Sequence, residues 1–343
     1  MIHIDGASGE GGGQVLRSSL TLSILTGQPV RLENIRAGRS KPGLQAQHLQ
    51  AVKAAAAVCD AQVEGHGLGS QALTFAPRNV RAGNYRFDIN TAGAVTLVLQ
   101  TIFLPLSVAS GKSSVTIGGG THVPWSPSFH YLDWLWLPCL QQLGYNAAFT
   151  LGQAGFYPQG GGQVRAVIHP ASSLQPKDWS ERGALVDIRG LSGVANLDEE
   201  IARRQKLQAL RTLELRCRDA KIKTESVRSP GKGTYVTLLA RFEHTQACFT
   251  ALGAPGKRAE RVADEAAADL EAFLDGEGAI DPHLADQILL PLVLCGGASQ
   301  VTTTQVTQHL LTNAAVIERF DAAQIAIEGE IGQSGVVRIV SKL

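Results

Sequence analysis

An internal repeat constrains the fold most, because the same order of elements occurs three times along the chain. In each unit a glycine-containing loop leads into an apolar helix, followed by a strand, a second helix and a hairpin. The apolar helices that open the units are QVLRSSLTLSILTG, AGAVTLVLQTIFLPLSVASG and HLADQILLPLVLCG. Apolar residues at three-to-four spacing mark the helices, and alternation marks the strands. The period therefore predicts an α/β chain built from three repeated units.

The third unit arrives late, which indicates an insertion. The turns that close the first helices fall near Gly27, Gly111 and Gly297, so the second gap exceeds the first by about a hundred residues. The surplus reads as a helix, three strands and a helix, and its charge-rich first helix is interpreted as a solvated face. We therefore expect a large domain of three units and a small inserted α/β domain, with residues 1–186 and 276–343 in the first and 187–275 in the second.

Composition limits the function classes. The chain has 343 residues, is 44% apolar and carries a formal net charge of +1, so it can bury one large core or two ordinary ones. Because the charge is balanced, contact with nucleic acid must come from local arginine clusters. Its five cysteines are scattered singly, without the spacing of a zinc site, which favours a reducing cytoplasm.

Targeting and membrane segments are not expected. The amino terminus, MIHIDGASG, lacks the basic and apolar regions of a secretory signal. Residues 92–111 are free of charge over about 20 positions, the length of a membrane span. Gln100 and Pro105 interrupt this stretch, so a fully buried helix explains it better. No membrane partner is therefore predicted.

The opening loop, GEGGGQVLRSSL, has the composition of an anion site. Clustered glycines let backbone N–H groups point into one concavity, and the following helix adds the positive end of its dipole. The lysine of an ordinary phosphate loop is missing. In its place stand Glu10, Gln14 and Arg17. A tight turn into a helix is the alternative.

Two further loops stand out. In NIRAGRSKPGL, Arg36, Arg39 and Lys41 crowd a strand-to-helix junction, and arginine forks at a helix entrance favour a phosphorylated ligand over an incidentally charged loop. GFYPQGGGQV, residues 155–164, lies inside a predicted hairpin. Its glycines indicate close approach of a ligand or another backbone, and a wide bulged turn is the alternative.

His309, in TTTQVTQHLLTNAAV, is the candidate nucleophile. If Thr307 caps the helix, His309 lies in the first turn, where the helix dipole disfavours the imidazolium. The ring would then be neutral and nucleophilic, although a lone histidine can also be structural. The other histidines show no metal-ligand spacing, so no structural metal site is expected.

Taken together, these stretches resemble the RNA 3′-terminal phosphate cyclase family along nearly the whole chain. The resemblance rests on five ordered motifs: DGASGEGGGQVLR, IRAGRSKPGLQAQHL, GFYPQGGGQV, LADQILLP and HLLTNAAVIERF. It implies three repeats of a four-stranded sheet backed by two helices, like the carboxy-terminal domain of translation initiation factor 3. It also implies a smaller inserted domain.

The resemblance further implies an activity. Family members convert an RNA 3′-phosphate into a 2′,3′-cyclic phosphate with ATP and a divalent metal, magnesium or manganese. They transfer AMP first to a histidine and then to the RNA phosphate, after which the 2′-hydroxyl closes the ring. An adenylated phosphate can expel AMP, and this is nucleophilic catalysis that splits one hard step into easier ones.

Site residues are implied in the same way. His309 matches the adenylated nucleophile, and Glu10 matches the carboxylate that helps hold the metal. The phosphate site and the RNA end are implied to lie among three arginines: Arg17, Arg36 and Arg39. The adenosine is implied to lie near Gln100, Pro127, His283, Asp286 and Gln287.

The chain departs from the family pattern at two positions. Ala154 stands where relatives commonly have histidine, which weakens any role of its motif in proton transfer. His283 stands where some relatives have tyrosine, which affects how adenine is stacked. Two rival classes are a non-catalytic cyclase-like ribosome-assembly factor and the enolpyruvyl transferases, the first lacking the nucleophile and the second these ordered motifs. Oligomeric state is left open by the sequence.

Overall fold

The computed structural model describes all residues, Met1–Leu343, and contains four four-stranded sheets. The first unit comprises β1 (Ile2–Asp5), α1 (Gly13–Thr26), β2 (Val30–Glu33), α2 (Ala46–Cys59), β3 (Gln62–Glu64) and β4 (Leu73–Ala76). The second comprises β5 (Asn84–Asp88), α3 (Val95–Ser107), β6 (Ser113–Gly119), α4 (Phe129–Tyr131), a π-helical turn (Leu132–Trp136), α5 (Leu137–Gln142), β7 (Asn146–Gln153) and β8 (Gly162–His169).

The remaining elements form two further sheets. A short strand comes first and is followed by β10 (Leu185–Ala195), α6 (Glu199–Leu213), β11 (Lys221–Ser226), β12 (Gly233–Phe242), β13 (Gln246–Leu252) and α7 (Ala259–Asp275). The short strand, β9 (Asp178–Trp179), pairs with β14 (Ala298–Thr303) of the carboxy-terminal part. That part comprises α8 (Pro282–Gln287), α9 (Leu289–Leu294), β14, α10 (Gln308–Arg319), β15 (Ala323–Glu328) and β16 (Gly335–Ser341).

Three of the sheets share one strand order. They run β1-β2-β4-β3, β5-β6-β8-β7 and β9-β14-β16-β15. In each, the first two strands are parallel and the other pairings are antiparallel. The fourth sheet runs β11-β10-β12-β13, with β10 and β11 parallel. The α/β class predicted from the sequence is confirmed.

The opening edge strand of each sheet was missing from the predicted repeat. β1, β5 and β9 have four, five and two residues, respectively, and only the two residues of β9 are too few for an alternating pattern. The predicted strand around Asp187 exists, but as β10 it pairs with β11 and β12 in the fourth sheet.

Two hydrophobic cores lie beneath these sheets. A cluster of 66 buried residues joins the three similar sheets and their helices. A separate cluster of 17 lies between Ile188 and Phe273. A small third cluster, with Phe156 and Tyr235 among its members, connects the two regions.

Helix α3 is the buried helix expected from the charge-free stretch. Every residue in it except Gln100 is buried, because it packs between neighbouring helices and strands of the main core. None of the helices combines the length and apolarity needed to cross a lipid bilayer.

Loop 154–161, between β7 and β8, contains most of the motif GFYPQGGGQV and explains one of its glycines. Gly160 has a φ of +67°, and a Cβ there would lie 2.6 Å from the carbonyl oxygen of Thr91. Close approach of a ligand or of another backbone was the predicted reason for these glycines. At Gly160 the approach is by another backbone.

Candidate active site

The first and third units meet at the amino-terminal ends of α1 and α10. The Glu10 backbone N–H donates to Thr312 Oγ1 at 3.1 Å. A Cβ on Gly9 would lie 2.2 Å from the same oxygen, so only glycine allows this approach. Further along, Ser18 Oγ donates to Asn313 Oδ1 at 2.6 Å. The opening loop is thereby fixed against the helix that carries His309, and the positive ends of two helix dipoles are close together.

His309 is the second residue of α10, and Thr307 caps this helix by accepting from the Leu310 N–H at 3.1 Å. Its ring is half-exposed, and Nδ1 lies 2.7 Å from Gln14 Oε1 and 3.7 Å from Glu10 Oε1. Burial lowers the pKa of His309, with Arg17 adding to the effect and Glu10 opposing it. The neutral ring that we expected is favoured, although burial is the main cause.

Glu10 and Arg39 form an ion pair at the mouth of the site. Arg39 Nη2 donates to Glu10 Oε2 at 2.5 Å and to the Glu10 carbonyl oxygen at 2.9 Å. The Glu10 side chain is 12% exposed, whereas that of Arg39 is 45% exposed. Glu10 is thus held in place from the outside by a flexible, solvated partner.

Arg17 and Arg36 differ in how their charge is used. Arg17 interacts electrostatically with Glu10 and Asp286 but hydrogen-bonds to neither, and burial lowers its pKa to about 10. Its guanidinium is therefore available to an anion. Arg36 instead donates to the carbonyl oxygens of Lys41 and Gly43 at 2.6 and 2.9 Å, respectively, and so shapes its own loop.

His48 lies near Arg17 and Arg36 and is itself uncharged. Its Nδ1 accepts from the Gln45 N–H at 3.2 Å in a capping box at the start of α2. Burial, together with the nearby Arg17 and Arg36, lowers the pKa of His48 to about 3. The ring is therefore neutral at physiological pH.

Gln14 links His309 to Asp286. It is buried, and its Nε2 donates to Asp286 Oδ2 at 2.6 Å while Oε1 faces His309. Asn313 Nδ2 donates to the Asp286 carbonyl oxygen at 2.7 Å, which fixes α8 against α10. Burial raises the pKa of Asp286 to about 7, against the opposing effects of His283, Gln14 and Arg17.

Residues predicted around the adenosine lie partly together. Gln100 Nε2 donates to Gln287 Oε1 at 2.6 Å, and Gln287 Nε2 donates to the His283 carbonyl oxygen at 2.9 Å. With Asp286 on the same short helix, these four form one cluster next to Gln14. Pro127 lies in the loop before α4, and its carbonyl oxygen accepts at 2.8 Å from Oγ1 of Thr96, which is one helical turn before Gln100 on α3.

The side chains around His309 fit a divalent cation that is held mainly by phosphate oxygens of a bound substrate. No group of three or more His, Cys, Asp or Glu side chains could hold a metal by itself. Glu10 supplies one nearly buried carboxylate beside His309. Magnesium is commonly bound by one or two carboxylates together with phosphate oxygens and water, so Glu10 could contribute one ligand.

Some residues of this site were missed by sequence reasoning. Asn313 and Thr312 fall within the quoted HLLTN motif, and their exact one-turn spacing from His309 and Gln308 is a signal that could have placed them on the site face of α10. Asp286 was expected near adenosine, but its contact with Gln14 joins residues 272 positions apart. No local pattern signals such a contact.

A half-exposed histidine, an arginine without a hydrogen-bonded carboxylate and two helix amino termini lie together here. Together they are typical of the class of proteins that bind phosphate groups. Comparisons with known proteins narrow this class. A family model described as RNA 3′-terminal phosphate cyclase matches residues 8–327.

Curated relatives agree with the family model. Proteins named RNA 3′-terminal phosphate cyclase from Methylococcus capsulatus and Ralstonia nicotianae are each 46% identical to this chain, over 99% and 98% of it and 96% of each relative. One from Archaeoglobus fulgidus is 41% identical over 96% of this chain and 98% of its own. The chain therefore belongs to the RNA 3′-terminal phosphate cyclase family.

A solved structure of the enolpyruvyl transferase NikO from Streptomyces tendae matches 49% of this chain and 33% of its own, with 15% identity and a TM-score of 0.27. A likeness at this level supports no statement about fold or function.

Proposed function

We propose that the protein is an ATP-dependent enzyme that converts an RNA 3′-terminal phosphate into a 2′,3′-cyclic phosphate. Family membership supports the overall reaction. The observation that carries the proposal for this chain is the placement of His309 Nδ1 2.7 Å from Gln14 Oε1, at the junction of the opening loop and α10. That contact leaves the other ring nitrogen, Nε2, without a protein partner and free to attack.

The chemistry proceeds by three displacements at phosphorus. His309 Nε2 attacks the α-phosphorus of ATP, a P–N bond forms, and the bond to the bridging oxygen breaks to release pyrophosphate. An oxygen of the RNA 3′-phosphate then displaces His309 and takes over the AMP. Finally the adjacent 2′-hydroxyl attacks the terminal phosphorus, loses its proton to solvent and expels AMP, with proximity supplied by the substrate.

Arg17 and Arg39 are assigned to the phosphates of ATP and of the RNA end. Arg17 suits the role because its charge is not committed to a hydrogen-bonded carboxylate. Arg39 suits it because it is 45% exposed and could exchange its contact with Glu10 for one with phosphate. Arg36 is assigned to the same site with an indirect part, since its donors are occupied by loop carbonyls.

A divalent cation, magnesium or manganese, would be held by Glu10 and would neutralise charge on the triphosphate. The cluster of Gln100, His283, Asp286 and Gln287, with Pro127 nearby, is assigned to the adenosine. The proposed partners are therefore ATP and RNA 3′ ends that bear a phosphate, and the proposed location is the cytoplasm.

We also propose a domain organisation. The three sheets of shared strand order would be repeats of one unit, each backed by two helices, and would form the catalytic domain over residues 1–186 and 276–343. Residues 187–275 would form an inserted domain with its own core. Its function is not assigned.

Labelling by ATP tests the proposed function. We expect purified protein, incubated with magnesium or manganese and ATP labelled at the α-phosphate, to form a protein–AMP adduct that is acid-labile and alkali-stable. His309→Ala should form none. RNA with a 3′-phosphate should then discharge the adduct and be cyclised, whereas RNA with a 3′-hydroxyl should not. Folded wild-type protein that forms no adduct with either metal would favour the non-catalytic alternative.

A further inference from the structure

Catalysis by a neutral histidine depends on which ring nitrogen carries the proton. The nitrogen that attacks must have a free lone pair, so the proton must be on the other one. In the structure Nδ1 of His309 contacts Gln14, and Nε2 has no hydrogen-bond partner in the protein. The choice of tautomer therefore depends on the group that meets Nδ1.

That group is the Gln14 side-chain amide, whose two ends have opposite hydrogen-bonding roles. An amide oxygen only accepts, whereas an amide nitrogen only donates. Gln14 Nε2 lies 2.6 Å from Asp286 Oδ2, and Oε1 lies 2.7 Å from His309 Nδ1. An ionised Asp286 accepts only, so it selects this orientation of the amide, since the reverse would bring two acceptor oxygens together. With Oε1 facing the ring, Nδ1 must carry the proton.

Asp286 is itself fixed from two directions. Its backbone carbonyl accepts from Asn313, one helical turn beyond His309 on α10, and Asn313 in turn accepts from Ser18 on α1. Asp281 caps α8 by accepting from the His283 and Leu284 N–H groups at 2.9 and 3.0 Å, respectively. The backbone that carries the Asp286 carboxylate is therefore fixed against α10 and α1.

We propose that Gln14 is a positioning residue that, oriented by Asp286, fixes His309 in the Nδ1–H tautomer and so presents the Nε2 lone pair to the α-phosphate of ATP. The series of hydrogen bonds from Asp286 through Gln14 to His309 is analogous to a carboxylate that orients a catalytic histidine, with an amide inserted between the two. This assignment rests on the proposed function for its catalytic consequence. Its tautomer part does not, because the tautomer can be observed without substrate.

Nitrogen NMR of histidine-labelled protein without ATP or metal tests the tautomer directly. We expect wild-type protein at pH 8, where Asp286 is ionised, to show a protonated Nδ1 and an unprotonated Nε2 for His309, with the signals assigned by their loss in His309→Asn. Gln14→Met keeps the length of the side chain and removes both hydrogen bonds, and it should lose this pattern. Gln14→Glu places two carboxyl groups side by side, so they should share one proton on the Asp286 side. An acceptor oxygen then still faces Nδ1, and this variant should retain the pattern.

Single-turnover adenylation tests the consequence. At saturating ATP, Gln14→Met should form the adduct at least about tenfold more slowly than wild type, because a misplaced proton is costly in nucleophilic histidine chemistry. The concentration of ATP giving half the maximal rate should change by less than about twofold, since the residue orients rather than binds. Gln14→Glu should be faster than Gln14→Met.

Gln208→Met is the matched control. Gln208 Nε2 donates to Asp264 Oδ1 at 2.7 Å between α6 and α7, which is the same kind of bond outside the site. This variant should match wild type in both measurements. A wild-type His309 that is protonated at Nε2, or a Gln14→Met variant with unchanged tautomer and rate, would overturn the proposal. Loss of the tautomer in Gln14→Met without any wild-type adduct would support the tautomer part alone, and would remove both the catalytic part and the proposed function.

Discussion

At the scale of single residues, the sequence indicated which side chains are candidates for the site but not which of them are in contact. Local sequence was enough to single out Glu10, Gln14, Arg17 and His309, because glycine clusters and a helix start restrict what nearby side chains can do. The partner of each was not predictable in this way. Gln14 meets His309 across 295 positions, and a contact of that separation has no local signal.

Asp286 carries a stability cost that depends on pH. Its folded pKa, about 7, lies above the ordinary value of 3.8, so the folded state disfavours the ionised carboxyl. The cost is absent below the ordinary pKa and complete above pH 7, with an upper limit of about 4 kcal/mol. We expect Asp286→Asn to raise the melting temperature relative to wild type at pH 8 and to lose most of this advantage at pH 5.

Thermal unfolding followed by circular dichroism at the two pH values measures this effect. Asp264→Asn is the control, since Asp264 also accepts from a glutamine amide. An advantage of Asp286→Asn that is equal at both pH values would contradict the raised pKa. Asp286→Asn should also slow adenylation. A variant that is more stable but less active would show that Asp286 lowers stability in favour of function.

At the scale of elements, long helices and central strands followed from periodicity, whereas short edges did not. The predicted second helix began at Pro42, yet α2 begins at Ala46. Residues before Ala46 form a loop held by Arg36, whose own φ is +54° and whose guanidinium binds two carbonyl oxygens. Propensity does not encode such a side-chain tether. The two-residue β9 was equally beyond reach, because two residues have no period.

Two glycines with nearly the same φ allow the penalty of a positive φ to be distinguished from the penalty of steric crowding. Gly160 and Gly27 have φ values of +67° and +68°, but a Cβ on Gly27 meets nothing within 4 Å. Gly27→Ala should therefore cost only the conformational penalty of about 1 kcal/mol. Gly160→Ala should cost at least about 2 kcal/mol more, because its Cβ would press on the Thr91 and Ala92 backbone.

Melting temperatures of the two variants, compared at one pH, measure the difference. Equal losses would mean that loop 154–161 can move away from residues 91 and 92. A larger loss in Gly27→Ala would contradict the close approach altogether.

At the scale of the whole molecule, the spacing of elements in the sequence predicted a repeat and its interruption, since spacing survives even when individual strands are unclear. The connection between the regions was not visible. It uses Tyr235, which stacks on His122 and His130 with ring centroids 4.4 and 5.2 Å apart, and these residues belong to separately predicted regions.

Residues 181–276 should fold when expressed alone. They contain the second core of 17 buried residues, and Arg182 donates to the carbonyl oxygens of Phe273 and Leu274 at the end of α7. We expect a cooperative urea transition and the near-ultraviolet circular dichroism of packed aromatic rings. A gradual transition would contradict the proposed domain. Arg182→Ala should lower the midpoint, as it removes the contact that closes the segment.

The contact between Gln14 and His309 joins the first strand-helix unit to the last. A chain cut short anywhere between them lacks either His309, the proposed nucleophile, or Gln14, the amide proposed to orient it. Covalent labelling by ATP would then mark only molecules whose two ends have docked. The AMP adduct could thus serve as a stoichiometric count of correctly assembled protein in a preparation, and two separately expressed fragments that reconstitute labelling would report their own association.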